Sequence, residues 1–265
     1  MSIPKRVTVT CPKCGKPFQV TVFESVNTDY AEDIAQQIIS GELFEAKCTS
    51  CGFVANLAYN VLYHDMKHGA MIWLVHPEED YAKKIAEIRS TNLLPYEVTR
   101  IVQTVDQLRE KVACLEKNRD DRVIEILKLL ALAQASSSDP AGRAFDAFYT
   151  LSANMEKELI YVHADDGEQL QAHLDGDNYE KIKCEYAVAL SSHQEEPYQI
   201  IDQEWALDFL LKHERLERNE SERSSTAVAA NNDTPSEIRF CRKCGTKLLE
   251  NAMFCHRCGA DVLLK

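Results

Sequence analysis

The sequence predicts a mixed α+β fold, and three observations carry that reading. Near the N-terminal end, two Cys-x-x-Cys-Gly turns are each flanked by segments that alternate apolar and polar residues, the period of a β-hairpin. In the middle, apolar residues recur three and four apart, the period of helices packed on a core. From Glu158 the period shortens to two again, which predicts a small antiparallel meander. At 265 residues, 45% hydrophobic and 27% charged, the chain is long enough for one sizeable folded body plus an appendage.

The first hairpin is read from "RVTVT", the turn Cys11-Pro12-Lys13-Cys14-Gly15 and "FQVTVFESV". The second is read from "LFEAK", the turn Cys48-Thr49-Ser50-Cys51-Gly52 and one long strand, "FVANLAYNVLYH". A helix is inserted between them, with Asp29 and Glu32 as a capping box, Tyr30, Ile34 and Ile38 at helical spacing, and Gly41 as its stop. The strand "AMIWLV" pairs with the long strand before it. Pro77 opens a helix through about Arg89, and a longer helix follows Pro95, striped by Val98, Ile101, Val105, Leu108, Val112 and Leu115. "DDRVIEILKLLALAQ" is apolar on most faces and should lie deep. Asp139 and Pro140 have the residue types of an N-cap and first helical position, predicting another helix through "AFDAFYTLSANMEK". The meander then comprises "ELIYVHA", a turn at Asp166-Gly167, "EQLQAHL", a turn at "DGDN" and "KIKCEYAVAL". A last amphipathic helix turns Trp205, Phe209 and Leu210 inward, and "ESERSSTAVAANNDTPS" has too little apolar bulk to be anything but a flexible linker.

Eight of the ten cysteines fall into four Cys-x-x-Cys pairs, each followed by a glycine: Gly15, Gly52, Gly245 and Gly259. Such a turn aims two thiolates at one point while backbone amides hydrogen-bond the sulfurs, so each pair is half of a tetrahedral zinc site. Cys11, Cys14, Cys48 and Cys51 complete one site, and Cys241, Cys244, Cys255 and Cys258 complete another, giving two Zn2+ per chain. A tail of fewer than about 40 residues cannot fold on its own apolar surface. A structural zinc supplies about 10 to 16 kcal/mol of apparent binding free energy, which makes up that shortfall.

The competing chemistry is dithiol–disulfide cycling, which needs a helix N-terminus after the first pair, whereas strand sequence continues beyond Cys14. Cys114, in a helical pattern, and Cys184, in a strand pattern, read as small core residues. His64 and His68 have the spacing of a helical metal pair but sit in strand and turn, so they are not read as ligands, and His256 reads as a solvent-facing knuckle residue. "DGDNYEKIKCE" starts like a calcium loop and fails at Tyr179 and Glu180, where an oxygen ligand and a glycine belong. No phosphate-cradling glycine loop, nucleophile elbow or paired-carboxylate constellation is legible, so no catalytic residue is assigned.

The net charge of -12 is uneven: residues 236–265 carry six basic and three acidic side chains, which leaves the acidity to the body. An acidic body does not attract phosphate backbones, while the small basic tail could touch nucleic acid. No window reaches the roughly 18 apolar residues of a membrane span, and no signal peptide is read, so the expectation is a cytoplasmic protein with no membrane contact.

The segments "TVTCPKCGKPFQV", "FEAKCTSCGF" and "LYHD" resemble the CpXC domain, a bacterial and archaeal family named for its Cys-Pro-x-Cys pair, and "LREKV" and "DDRVIEILK" resemble its helical section. The resemblance covers roughly residues 7 to 130 and implies Cys11, Cys14, Cys48 and Cys51 as ligands, but no activity. The tail resembles the zinc-ribbon modules appended to many prokaryotic proteins. The resulting organisation is a CpXC-like domain with a zinc-ribbon core over residues 6–134, an α/β continuation over 135–214, a linker over 215–236 and a separate zinc ribbon over 237–265. The function expected is that of a zinc-binding adaptor for another protein and not of an enzyme. Two alternatives stand beside it: an enzyme whose site is scattered through the helical and meander sections, and a nucleic-acid binder acting through residues 237–265.

Overall fold

A computed structural model of the chain describes residues 2–30, 33–77, 80–90, 98–174, 176–194 and 196–213, together with Lys243. The expected linker and C-terminal ribbon, with Cys241, Cys244, Cys255, Cys258 and His256, therefore lie outside the described residues.

The period-two segments at the N-terminal end pair as expected. β1 (Ile3–Thr10) and β2 (Pro17–Asn27) are antiparallel, with Val9 opposite Phe18 and Val7 opposite Val20. The chain then passes through α1 (Ile34–Ser40) and a short hairpin, β3 (Glu45–Lys47) and β4 (Val54–Asn56), before β5 (Val61–Asp65) lies parallel to the end of β2. β6 (Ala70–Leu74) pairs antiparallel with β5, and the helix α2 (Tyr81–Ser90) leads to β7 (Val98–Val102), parallel to β6. The five-stranded sheet runs β1-β2-β5-β6-β7. Helices α3 (Val105–Glu116) and α4 (Asp121–Ser138) follow, then β8 (Phe145–Leu151), β9 (Glu158–Ala164) and β10 (Gln169–His173), a second sheet in the order β10-β9-β8. The described chain ends in α5 (Gly176–Glu185), α6 (Ala187–Ser192) and α7 (203–213). Among the described residues no helix is long and apolar enough to cross a membrane.

The helix α3 packs on β6 and β7 from one side and on β8 from the other, and α4 packs on β8 and β9. One apolar core therefore runs from Val26, Tyr63 and Ile72 of the large sheet through Leu108, Val112, Val123 and Ile126 to Tyr149 and Ile160 of the small one. Across that core lies a ladder of six buried charges. Arg100 of β7 holds Asp121 through two hydrogen bonds of 2.8 and 2.9 Å, and Lys111 of α3 reaches both Asp121 at 3.2 Å and Glu125 at 2.9 Å. Lys128 then bridges Glu125 at 3.1 Å and Glu110 at 2.7 Å, and the Tyr149 amide donates to Glu110 at 2.7 Å. Signs alternate along the ladder, so no charge is buried without an opposite neighbour.

Several features differ from expectation. Residues 98–102 form strand β7 and not the start of a coiled-coil-like helix, because four of the five are β-branched and pair with β6. The helix starts instead at Val105, behind a capping box in which the Gln107 amide donates to Thr104 and the Gln107 side chain accepts from the Thr104 amide. Residues 145–151 form β8 and not a helix: Ala147, Tyr149 and Leu151 face the core, and the Asp139 carboxylate closes a turn by accepting from the Arg143 amide at 2.7 Å. Residues 176–192 are helical, so the meander gains its third strand from β8 and not from "KIKCEYAVAL". Tyr179, Ile182, Tyr186 and Leu190 all pack against the core, at the helical spacing of three, four and four. "FVANLAYNVLYH" is two strands in two different sheets. Asp29 lies in a 3-10 turn over Thr28–Tyr30, its expected capping-box partner Glu32 lies outside the described residues, and Gly41 does end α1, at a φ of 91°.

The first and last carboxylates of the ladder differ in kind. Asp121 sits between two cations, which outweigh the burial that would raise its pKa and hold it well below the usual carboxylate range. Glu110 has Lys128 but also faces Glu125, and burial pushes its pKa from 4.5 up to about 7. Asp121→Asn should therefore cost about 3 to 5 kcal/mol, as expected when one partner leaves a buried ion pair, measured by denaturant unfolding at neutral pH. For Glu110 the sign reverses: between pH 4.5 and about 7 the folded state binds more protons there than the unfolded state, so that stability falls as pH rises. Glu110→Gln keeps the protonated form, and the stability advantage of the wild type over it should shrink steadily across that window.

Candidate metal centre

The two knuckles have the same local construction. In the first, the Cys11 amide donates to Lys16 O at 3.0 Å and the Gly15 amide to Cys11 O at 2.9 Å; in the second, the Cys48 amide donates to Phe53 O at 2.8 Å and the Gly52 amide to Cys48 O at 2.9 Å. Both turns leave through a glycine at positive φ, 69° at Gly15 and 72° at Gly52. Nothing crowds either position, so it is the left-handed backbone and not lack of room that calls for glycine there. The first cysteine of each pair is buried, and the second is exposed. Cys11 and Cys48 pack with Phe18 and Ala46, one residue from each hairpin, which sets the two knuckles face to face.

That packing brings together all four thiols predicted for the first site. The Sγ atoms of Cys11, Cys14, Cys48 and Cys51 lie within 4.8 Å of one another. The closest approaches join opposite knuckles, Cys11 to Cys51 at 3.6 Å and Cys14 to Cys48 at 3.8 Å. None of the four is in a disulfide. A tetrahedron with Zn–S bonds of about 2.3 Å has edges of roughly 3.8 Å, so the donor set and spacing fit a four-cysteine zinc site. The thiols are unequal in acidity. At Cys48 burial opposes ionisation, but the Ser50 and Cys51 amides and neighbouring thiols outweigh it and lower the pKa to about 7. At Cys51 the Phe53 amide favours the thiolate, yet burial and the other three thiols raise the pKa to about 11. A cluster that parts readily with its first proton and reluctantly with the next suits a dication, whose charge offsets the accumulating thiolates.

The leftover cysteines separate. Cys114 is buried in α3, as expected, and burial pushes its thiol well above the ordinary value. Cys184 is exposed on α5, so the core role expected for it is not the one it has. His64 lies on β5 with Nδ1 3.0 Å from Asn27 Nδ2, and His68 in the following turn has Nδ1 2.7 Å from Asp65 Oδ2, so the two rings serve different partners. Sequence reasoning missed the cleft of about 1170 Å³ that opens between α1, α3 and the small sheet, near the start of α7. Glu110, Glu125 and Lys128 of the buried ladder reach its wall, and its rim is acidic. The acidic residues at 106, 110 and 125 were visible in the sequence, but nothing local marks them as sharing a cavity with Asp146 and Asp202.

Cys48→Ser should remove one equivalent of zinc and lower the melting temperature of the body, because the ligand lost closes two hairpins at once. Cys184→Ser should change neither quantity. Elemental analysis and thermal melts of both purified variants check this, and equal behaviour of the two would contradict a structural metal at the knuckles.

No curated protein and no solved structure matches the chain. Two families do: residues 9–128 match the CpXC protein family, and residues 240–262 match the zinc-ribbon domain. The first match spans both knuckles, β2, β5, β6 and β7 of the large sheet, the end of β1, α3 and the first part of α4. The chain thus carries a CpXC domain in its first half and a zinc-ribbon domain at its C-terminal end.

Proposed function

We propose that the protein is a zinc-stabilised binding protein that holds a protein partner, with two Zn2+ per chain, one at Cys11, Cys14, Cys48 and Cys51 and one at Cys241, Cys244, Cys255 and Cys258. The observation that carries it is the completeness of the first cluster. Four thiols fill a tetrahedron and leave no position for water or substrate, the arrangement of a structural and not a catalytic zinc. Such a metal shapes a surface. Phe53 and Val54, directly after the second knuckle, are 36% and 45% exposed beside the exposed Cys14 and Cys51, an apolar tip of the kind that partners bury.

The cleft supports the same reading and specifies charge. Seven acidic residues line it against Arg109 and Lys128, so it favours a partner with basic side chains and repels nucleic-acid phosphates. A second reading, catalysis in this cleft, has one observation in its favour: burial raises the pKa of Glu110, which lines it, to about 7, where a general acid or base operates. Against it, both Glu110 oxygens are already engaged, one by the Tyr149 amide and one by Lys128. A nucleic-acid role for the basic residues 237–265 falls outside the described residues and has no structural support here.

Affinity capture with the full chain, and with a double variant Asp106→Lys, Asp202→Lys, tests the proposal. The wild type should retain a protein ligand unmodified, retention should weaken with salt, and the variant should lose it at least tenfold. Capture of nucleic acid alone, a chemically altered ligand, or equal capture by both forms would each refute the binding-protein reading. Elemental analysis of the wild type should give two zinc ions per chain, and one would remove the second site.

A further inference from the structure

The end of β5, the turn after it and the last residue of α3 gather a different set of donors. Asp65, His68 and Glu116 each bring one ligand atom within 4.8 Å of the others. Three atoms so spaced leave a point within roughly 2.8 Å of all of them, close to the distances at which oxygen and nitrogen ligands hold divalent ions. We propose that Asp65, His68 and Glu116 form a divalent-cation site distinct from the cysteine centre. Its ligands, two carboxylates and one imidazole, suit a first-row ion on the hard side such as Mn2+, whereas the thiol cluster selects zinc.

Three observations bear on the choice. Asp65 is 1% exposed and held rigid, since Tyr63 Oη donates to it at 2.9 Å, the His68 amide at 3.1 Å, and the His68 ring lies at 2.7 Å. Among the described residues neither Asp65 nor Glu116 is ion-paired with Lys or Arg, so that two neighbouring carboxylates share only one imidazole. A bridging imidazolium would hydrogen-bond both acids, but His68 bonds Asp65 and makes no such bond to Glu116. A cation among the three ligand atoms would supply the missing counter-charge. Glu116 also ends α3, where the carbonyl ends of the helix repel an anion, and the last turn has no basic residue to offset it. A cation there relieves both repulsions and ties the β5–β6 turn to α3.

The test uses zinc-loaded full-length protein titrated with Mn2+ and followed by electron paramagnetic resonance. The free-ion signal should fall by one equivalent per chain, and pulsed spectra should carry the coupling of a bound imidazole nitrogen. Glu116→Gln should weaken binding at least tenfold, and His68→Gln should abolish the nitrogen coupling, while Glu24→Gln, at an exposed carboxylate of β2 outside the cleft, should leave both unchanged. Thermal melts establish that each variant is folded, and if His68→Gln is not, the Glu116→Gln titration together with the wild-type coupling decides. An undiminished free-ion signal, a wild-type complex without nitrogen coupling, or affinity unchanged by Glu116→Gln would overturn the site.

Discussion

The ladder of alternating charges between α3 and α4 is the constraint on which the arrangement of layers depends. Arg100 belongs to the large sheet, Lys111 and Glu110 to α3, Asp121, Glu125 and Lys128 to α4, and the amide of Tyr149 to the small sheet. Each ion is buried and tolerable only because its neighbours are in place, so a shift of either helix leaves a charge unpaired in a medium that solvates it poorly. Apolar packing would allow the two helices to slide on the sheets. The ladder permits one register, and it fixes the walls of the acidic cleft in doing so.

The cysteine centre depends on this frame only indirectly. Its hairpins are joined to the body through α1, whose Ile39 carbonyl accepts from Arg109 Nε of α3 at 3.0 Å, and through the parallel pairing of β2 with β5. Locally the two knuckles need little else, since a four-residue turn, a glycine and a few apolar residues set each pair of thiols. The metal chemistry is therefore modular, while the cleft and the Asp65, His68 and Glu116 cluster are products of the assembled fold.

The CpXC match ends at residue 128, yet α4 continues to Ser138 and β8 packs on both α3 and α4. Later segments are fastened to earlier ones at specific points. Arg119 binds Glu158 of β9 through bonds of 2.9 and 2.7 Å and lies over the Tyr179 ring, whose hydroxyl accepts from the Asp120 amide at 2.8 Å. The Tyr198 amide donates to Thr99 at 3.0 Å, beside β7. The segments beyond 128 thus complete the core begun by the family domain, and with it the cleft.

What the sequence by itself determined is what short-range spacing encodes. The Cys-x-x-Cys-Gly turns, the alternation around them, the helix stop at Gly41 and the deep helix read over 120–134 are local patterns, legible because ligand geometry and backbone period act over a few residues. The errors came where one stretch satisfied two periods. Val98 and Ile101 fit a helix stripe that continues to Val105, but partner β6 was available and the β-branched residues at 98–102 took it; Tyr179, Ile182, Tyr186 and Leu190 fit a helix that the alternation in "KIKCEYAVAL" obscured. Only the tertiary structure decided which strands pair, that Cys184 faces outward, and that Glu110, Asp146 and Asp202 share a cleft. Burial and charge pairing join residues tens to hundreds of positions apart, and no local spacing records which of them will meet.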